Sequence, residues 1–149
     1  MIRSRLCFVA DSVQMHEDNG DVSASRIRDR IEAPVYPVRA PGMTFVCMLE
    51  RGDDDPSTAT AEFSISLGAQ LLGRSSVQLD FLGFPRARIA LRVEGLDIPG
   101  EGDVVFRLAL QSRVLAEYRV GATQGARPAT TGAAAPVALT IAKGEVRIR

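Results

Sequence analysis

The sequence predicts an all-β fold: an antiparallel β-sandwich of about seven to nine strands, immunoglobulin-like or C2-like in architecture. Three observations predict it. Apolar and polar residues alternate with a period of two, the period at which a strand presents one dry and one wet face. Turn residues punctuate these runs at short intervals. No long segment between them repeats at helical spacing. The length of 149 residues suits one domain, able to bury about two thirds of its unfolded surface.

The elements follow in order. Arg3 and Arg5 precede an apolar run from Leu6 to Ala10, which Asp11 ends. That run is too short for the apolar region of a secretion signal, so it reads as a first strand. Asp18-Asn19-Gly20-Asp21 supplies residues that tolerate positive φ in a tight hairpin. The next segment, 21–32, is open to two readings. Ile27 and Ile31 are four apart, and Ser23 or Ser25 suits a helix N-cap. The same residues alternate, with Ile27, Asp29 and Ile31 opposite Arg26, Arg28 and Arg30, and the hairpin before them favours a strand.

Residues 43–49 form another run, with Thr44 its only polar member. After turn residues at 52–56, Ala61, Phe63, Ile65 and Leu67 alternate with Thr60, Glu62, Ser64 and Ser66. Val77, Leu79 and Phe81 continue the pattern, as do Ala87, Ile89, Leu91 and Val93. Pro99-Gly100 makes the next turn, and two strands at about 102–111 and 114–120 form the clearest hairpin. We therefore place the sandwich in residues 1–122. The stretch 123–136, rich in Ala, Thr, Gly and Pro, reads as a flexible linker. Segment 137–149 alternates again, at Val137, Leu139 and Ile141, and is expected to add a strand or to swap to a neighbour.

Residues 6–9 and 43–49 are apolar on both faces, which a sheet wet on one side does not require. The expectation is a cover over the second face: either the segment 137–148 or a second copy of the chain. Met43, Phe45, Val46, Cys47, Met48 and Leu49 are accordingly the candidate interface, and a homo-oligomer or an unknown protein partner is expected.

Charge and composition exclude other classes. Eighteen basic and 18 acidic residues give zero net charge, which argues against a dedicated nucleic-acid binder. Only Tyr36, Tyr118 and six phenylalanines are aromatic, too few for a stacking platform. No apolar run approaches the roughly 18 residues of a membrane helix. Cys7 and Cys47 are the only cysteines, each within an apolar run. The sequence alone leaves open whether they pair. Without a secretory signal they favour reduced thiols and a cytoplasmic location.

Candidate sites are few. His16 is the only histidine, beside the hairpin turn, where a solvated strand-end side chain is the simpler reading than a general base. Glu17, Asp18 and Asp21, with Asp53, Asp54 and Asp55, form two acidic clusters that would suit calcium if their loops met. Arg26, Arg28 and Arg30 form one row on a wet strand face, and Arg86, Arg88 and Arg92 another. Adjacent, the two rows would make an anion patch. No phosphate loop, nucleophile elbow or zinc-protease motif is present, and no cofactor is implied.

The run Phe8-Val9-Ala10-Asp11-Ser12-Val13, the Asn19-Gly20 hairpin and the segment from Ile27 through Tyr36-Pro37 resemble an uncharacterised bacterial β-sandwich family, a domain of unknown function. Pro99-Gly100-Glu101 before the closing hairpin is similar to that family's close. The resemblance covers roughly residues 6–120. Arg28 stands where the family has an apolar residue, and Asp103-Val104 where it has an aromatic. The resemblance implies a fold and no activity. The functional expectation is a non-enzymatic protein-interaction or accessory module that self-associates. The alternative is a ligand- or ion-binding module, using the arginine rows for an anion or the acidic loops for calcium.

Overall fold

The computed structural model describes residues 1–125 and the backbone of residues 145–147, and it is all-β. Twelve strands occur among the described residues, more than the seven to nine expected. They are β1 (Arg3–Met15), β2 (Val22–Ile27), β3 (Arg30–Ala33), β4 (Val38–Ala40), β5 (Met43–Glu50) and β6 (Thr58–Leu67). The chain continues as β7 (Gln70–Asp80), β8 (Arg86–Val93), β9 (Leu96–Ile98), β10 (Gly102–Leu110), β11 (Arg113–Gln124) and β12 (Glu145–Arg147). The first sheet has the order β12-β8-β5-β1-β2 and the second β3-β11-β10-β6-β7, while β4 and β9 pair separately. No helix among the described residues is long and apolar enough to cross a membrane.

The alternating residues meet between the two five-stranded sheets. Phe45 of β5 lies with its ring centroid 5.1 Å from Phe63 of β6 and 6.5 Å from Phe106 of β10. All three rings are fully buried. Val9, Cys47, Leu49, Ile89 and Leu91 from the first sheet and Ile65, Leu79 and Leu108 from the second complete the same core. Burial at this density is the main stabilising term of the fold.

Three sequence expectations change. Segment 26–32 is not one strand. β2 ends at Ile27 and belongs to the first sheet; β3 starts at Arg30 and belongs to the second. The chain crosses between sheets at Arg28 and Asp29, just after Arg26 adopts a φ of 57°. That left-handed turn breaks the alternation that Ile27 and Ile31 suggest, so Arg26, Arg28 and Arg30 do not share one strand face. The pairing is also not wholly antiparallel, because β3 runs parallel to β11. Finally, Thr123 and Gln124, assigned to the linker, prolong β11. The rest of the expected linker lies outside the described residues. So does most of segment 137–149, of which β12 pairs antiparallel with β8.

Candidate basic face

β5 is the central strand of the first sheet, and its register with β1 and β8 builds the outer face row by row. Arg3, Glu50 and Arg86 stand in one row; Leu6, Met48 and Arg88 in the next. Phe8, Val46 and Ala90 follow, and then Ala10, Thr44 and Arg92. A register shift between Ser4 and Leu6 leaves Arg5 as an extra residue beside the first two rows. Adjacent strands are about 4.8 Å apart, so each three-strand row spans roughly 10 Å.

The inner two rows are closed except at Arg92, whose side chain is 43% exposed. Phe8, Ala10 and Val46 form a second buried cluster, with Val13, Ala90 and Tyr118 packed against it. This is where the candidate interface residues go. Met43, Phe45, Cys47 and Leu49 face the inter-sheet core, Val46 lies in the small cluster, and Met48 alone is half-exposed. Within a single chain, then, most of β5 is already buried on both faces.

The outer two rows stay open and basic. Glu50 accepts bonds from Arg3 (Nη2 at 2.8 Å, Nε at 3.1 Å) and from Arg5 (Nη1 at 3.4 Å). Arg86 Nε lies 3.5 Å away. The hydrogen bond from Arg3, and then the charges of Arg5, Arg3 and Arg86, hold the Glu50 carboxyl below the usual carboxylate range. The three arginines are 56–67% exposed. With Arg88 they set four guanidiniums against one carboxylate among the described side chains of these rows. Leu6, half-exposed, and Met48 place apolar surface among them. An open depression of about 550 Å³, lined by Met1, Arg3, Glu50, Arg51 and Gly52, borders this end.

The two arginine rows do not merge into one patch. β5 and β1 lie between β8 and β2. One member of each row instead converges on Asp11. Arg28 grips the carboxylate with Nε at 2.6 Å and Nη2 at 2.9 Å, and Arg92 donates to the Asp11 carbonyl at 3.1 Å. The Arg28 hydrogen bond lowers the Asp11 pKa. Arg30 pairs with Glu32 at 3.1 Å. Arg26 adds only its charge near Asp11.

The two acidic loops do not meet. Glu17, Asp18 and Asp21 cap the far end of β1, whereas Asp53, Asp54 and Asp55 follow β5 at the near end, where Arg3 pairs with Glu50. A 13-residue strand separates them, about 40 Å. Among the described residues no group of His, Cys, Asp and Glu is arranged to hold a metal. His16 is engaged through Nε2 with Ser23 Oγ at 2.8 Å. Cys7 and Cys47 are direct cross-strand partners and both are free thiols. Burial pushes the Cys47 thiol up to about 12, so neither a thiolate nucleophile nor a ligand is ready there.

Arg3, Arg5 and Glu50 were not among the candidate site residues. Local pattern carries no signal for them; their meeting depends on how β1, β5 and β8 align. Comparison with known proteins adds the family. No curated protein and no solved structure matches the chain. Residues 5–122, nearly the span over which the short motifs resembled a sandwich family, match the model of the family of unknown function DUF6941, and the chain belongs to that family.

Proposed function

We propose that the chain is a non-enzymatic protein-interaction module of a reducing, cytoplasmic compartment. Its scaffold is a sandwich of the immunoglobulin-like or C2-like kind, and its contact surface is the basic end of the first sheet. The reading rests on one observation: among the described residues, exposed Leu6 and partly exposed Met48 lie beside three guanidiniums that share the Glu50 carboxylate, with Arg88 in the neighbouring row. Apolar surface beside unbalanced charge suits a partner segment that brings carboxylates and an apolar anchor. Arginine forks bind carboxylates in pairs, which gives orientation as well as attraction.

The test is a fluorescence-anisotropy titration of the full chain with a labelled peptide of alternating Glu and Leu. The expected result is saturable binding, weakened about tenfold by Arg86→Gln with Arg88→Gln and weakened further by salt. Equal binding by the wild type and the double variant overturns the assignment. Competition by inorganic phosphate at low concentration would instead favour the small-anion alternative on the same guanidiniums.

A further inference from the structure

We infer that Cys7 and Cys47 are a redox pair: a hydroperoxide closes them into a disulfide joining β1 to β5, and a small thiol reopens it. This goes beyond the interaction reading and does not depend on it. The register carries the inference. Cys7 and Cys47 oppose each other across β1 and β5. Opposed residues share a face, and Cys47 lies in the inter-sheet core with Cys7 packed against it. Opposed pairs in an antiparallel ladder alternate between those that exchange backbone hydrogen bonds and those that do not. The Val9 carbonyl accepts from the Arg28 N–H, on the β2 side of β1. Residues two apart in a strand turn their backbone groups to the same edge, so Cys7 also directs its N–H and carbonyl away from β5. Cys7 and Cys47 are therefore a non-hydrogen-bonded pair. In such pairs the Cα atoms stand about 4.5 Å apart, within the span of a disulfide. Closing the bond asks for side-chain rotation and no change of register.

The surroundings assign the order of events. Cys7 is partly buried, and its Sγ donates to the Glu117 carbonyl of β11 at 3.4 Å. Cys47 is fully buried, with its Sγ 3.5 Å from Ser4 Oγ. A peroxide arriving from solvent therefore meets Cys7 first. The Cys7 sulfur attacks one peroxide oxygen and the O–O bond breaks. Cys7 becomes a sulfenic acid, and the second oxygen leaves with the thiol's proton, as water when the oxidant is hydrogen peroxide. The Cys47 sulfur then attacks the Cys7 sulfur and displaces hydroxide, which takes the Cys47 proton and leaves as water. Two thiols are oxidised and one O–O bond is reduced. Burial raises the pKa of both thiols, so the pair answers sustained oxidant rather than a brief pulse. Closure exchanges the Cys7–Glu117 tie between the sheets for a covalent tie within the first sheet. The loop it closes, residues 7–47, contains β2, β3 and β4.

The test treats the full chain with hydrogen peroxide and reads intact mass, peptide maps without reductant, and thermal unfolding. The mass should fall by two hydrogens, and the Cys7 and Cys47 peptides should be linked within one chain. The melting temperature should rise by about 8 °C, and dithiothreitol should reverse all three changes. Cys47→Ala should instead hold Cys7 as a sulfenic acid that dimedone traps. Cys7→Ser should leave Cys47 reduced at times when the wild type has closed. Two chains linked through Cys7 would overturn the inference. So would a wild-type Cys7 that proceeds to sulfinic acid while Cys47 stays a thiol, or two unchanged thiols when a denatured sample has fully reacted.

Discussion

The two outer faces of this protein solve the same problem differently. The second sheet turns outward Ser64 and Ser66 of β6 and Arg107 of β10, with Glu117 and Arg119 of β11 beside them. Its charges are matched: Arg107 and Arg119 both bond Glu117 at 2.8–2.9 Å, Arg119 lies 3.7 Å from Asp103, and Arg74 lies 3.9 Å from Glu62. This is an ordinary solvated face. The first sheet carries a small buried cluster at its middle and, among the described side chains, an arginine-rich group around Glu50 at one end. The contrast teaches that a chain of zero net charge can still hold a polarised surface. It also teaches that unused oiliness in a strand need not mark an intermolecular contact, since Val46 is buried within one chain.

The largest effect is expected at Val46. Val46→Asp places a carboxylate where no surface is exposed, between Phe8 and Ala90. The expected loss is about 4 kcal/mol in urea unfolding, enough to consume a large share of a typical domain's stability. A loss near zero would mean that the first sheet's outer face is as wet as the second's.

Next in size is Phe8→Ala. Phe8 is 9% exposed and belongs to the same cluster. Removing the ring should cost about 3 kcal/mol. The drop in melting temperature should be the same at low and high protein concentration, because the cluster closes within one chain. A concentration-dependent drop would return the cover to a second copy.

Much of this contrast was legible beforehand. The alternation through residues 60–67 and 86–93 placed Phe63, Ile65, Ile89 and Leu91 inward and Arg86, Arg88 and Arg92 outward, as β6 and β8 show. The double-sided apolar character of residues 43–49 marked a strand covered on both faces. What failed was long-range or conformational. Nothing in an arginine announces a φ of 57°, so the break after Arg26 hid inside a clean alternation. Gln70 to Gly73 of β7 lack alternation, and Leu71 is over half exposed, so the front of that hairpin strand went unread. The parallel pairing of β3 with β11 joins residues some 90 positions apart along the chain, for which local pattern has no signal. The basic site was half visible for the same reason: Arg86 and Arg88 lie on an evident wet face, but Arg3 and Glu50 join them only through register.

Asp11→Asn comes third. It keeps the shape and removes the charge that Arg28 grips, at an expected cost of about 1–2 kcal/mol at neutral pH. The pH dependence has a definite sign. The folded Asp11 pKa is lowered, chiefly by the Arg28 hydrogen bond, below an unfolded value of about 3.9. Its stabilisation is therefore complete above that value and lost as pH falls through the lower folded one. The gap between wild type and Asp11→Asn should be constant from about pH 7 to 5 and close below about pH 4. A gap unchanged at low pH would show that the carboxylate is not what holds this corner.

The smallest effect is expected on the matched face. Arg107 is 43% exposed and shares Glu117 with Arg119. Arg107→Ala removes one of two arginines from that carboxylate, and water replaces most of what is lost. The expected cost is at most about 1 kcal/mol, reduced further by salt. Binding of the acidic peptide should be untouched, because the basic end of the first sheet lies on the opposite side of the molecule. If Arg107→Ala instead weakens peptide binding as much as the Arg86 and Arg88 double variant does, charge anywhere on the surface governs contact, and the two faces differ in burial alone.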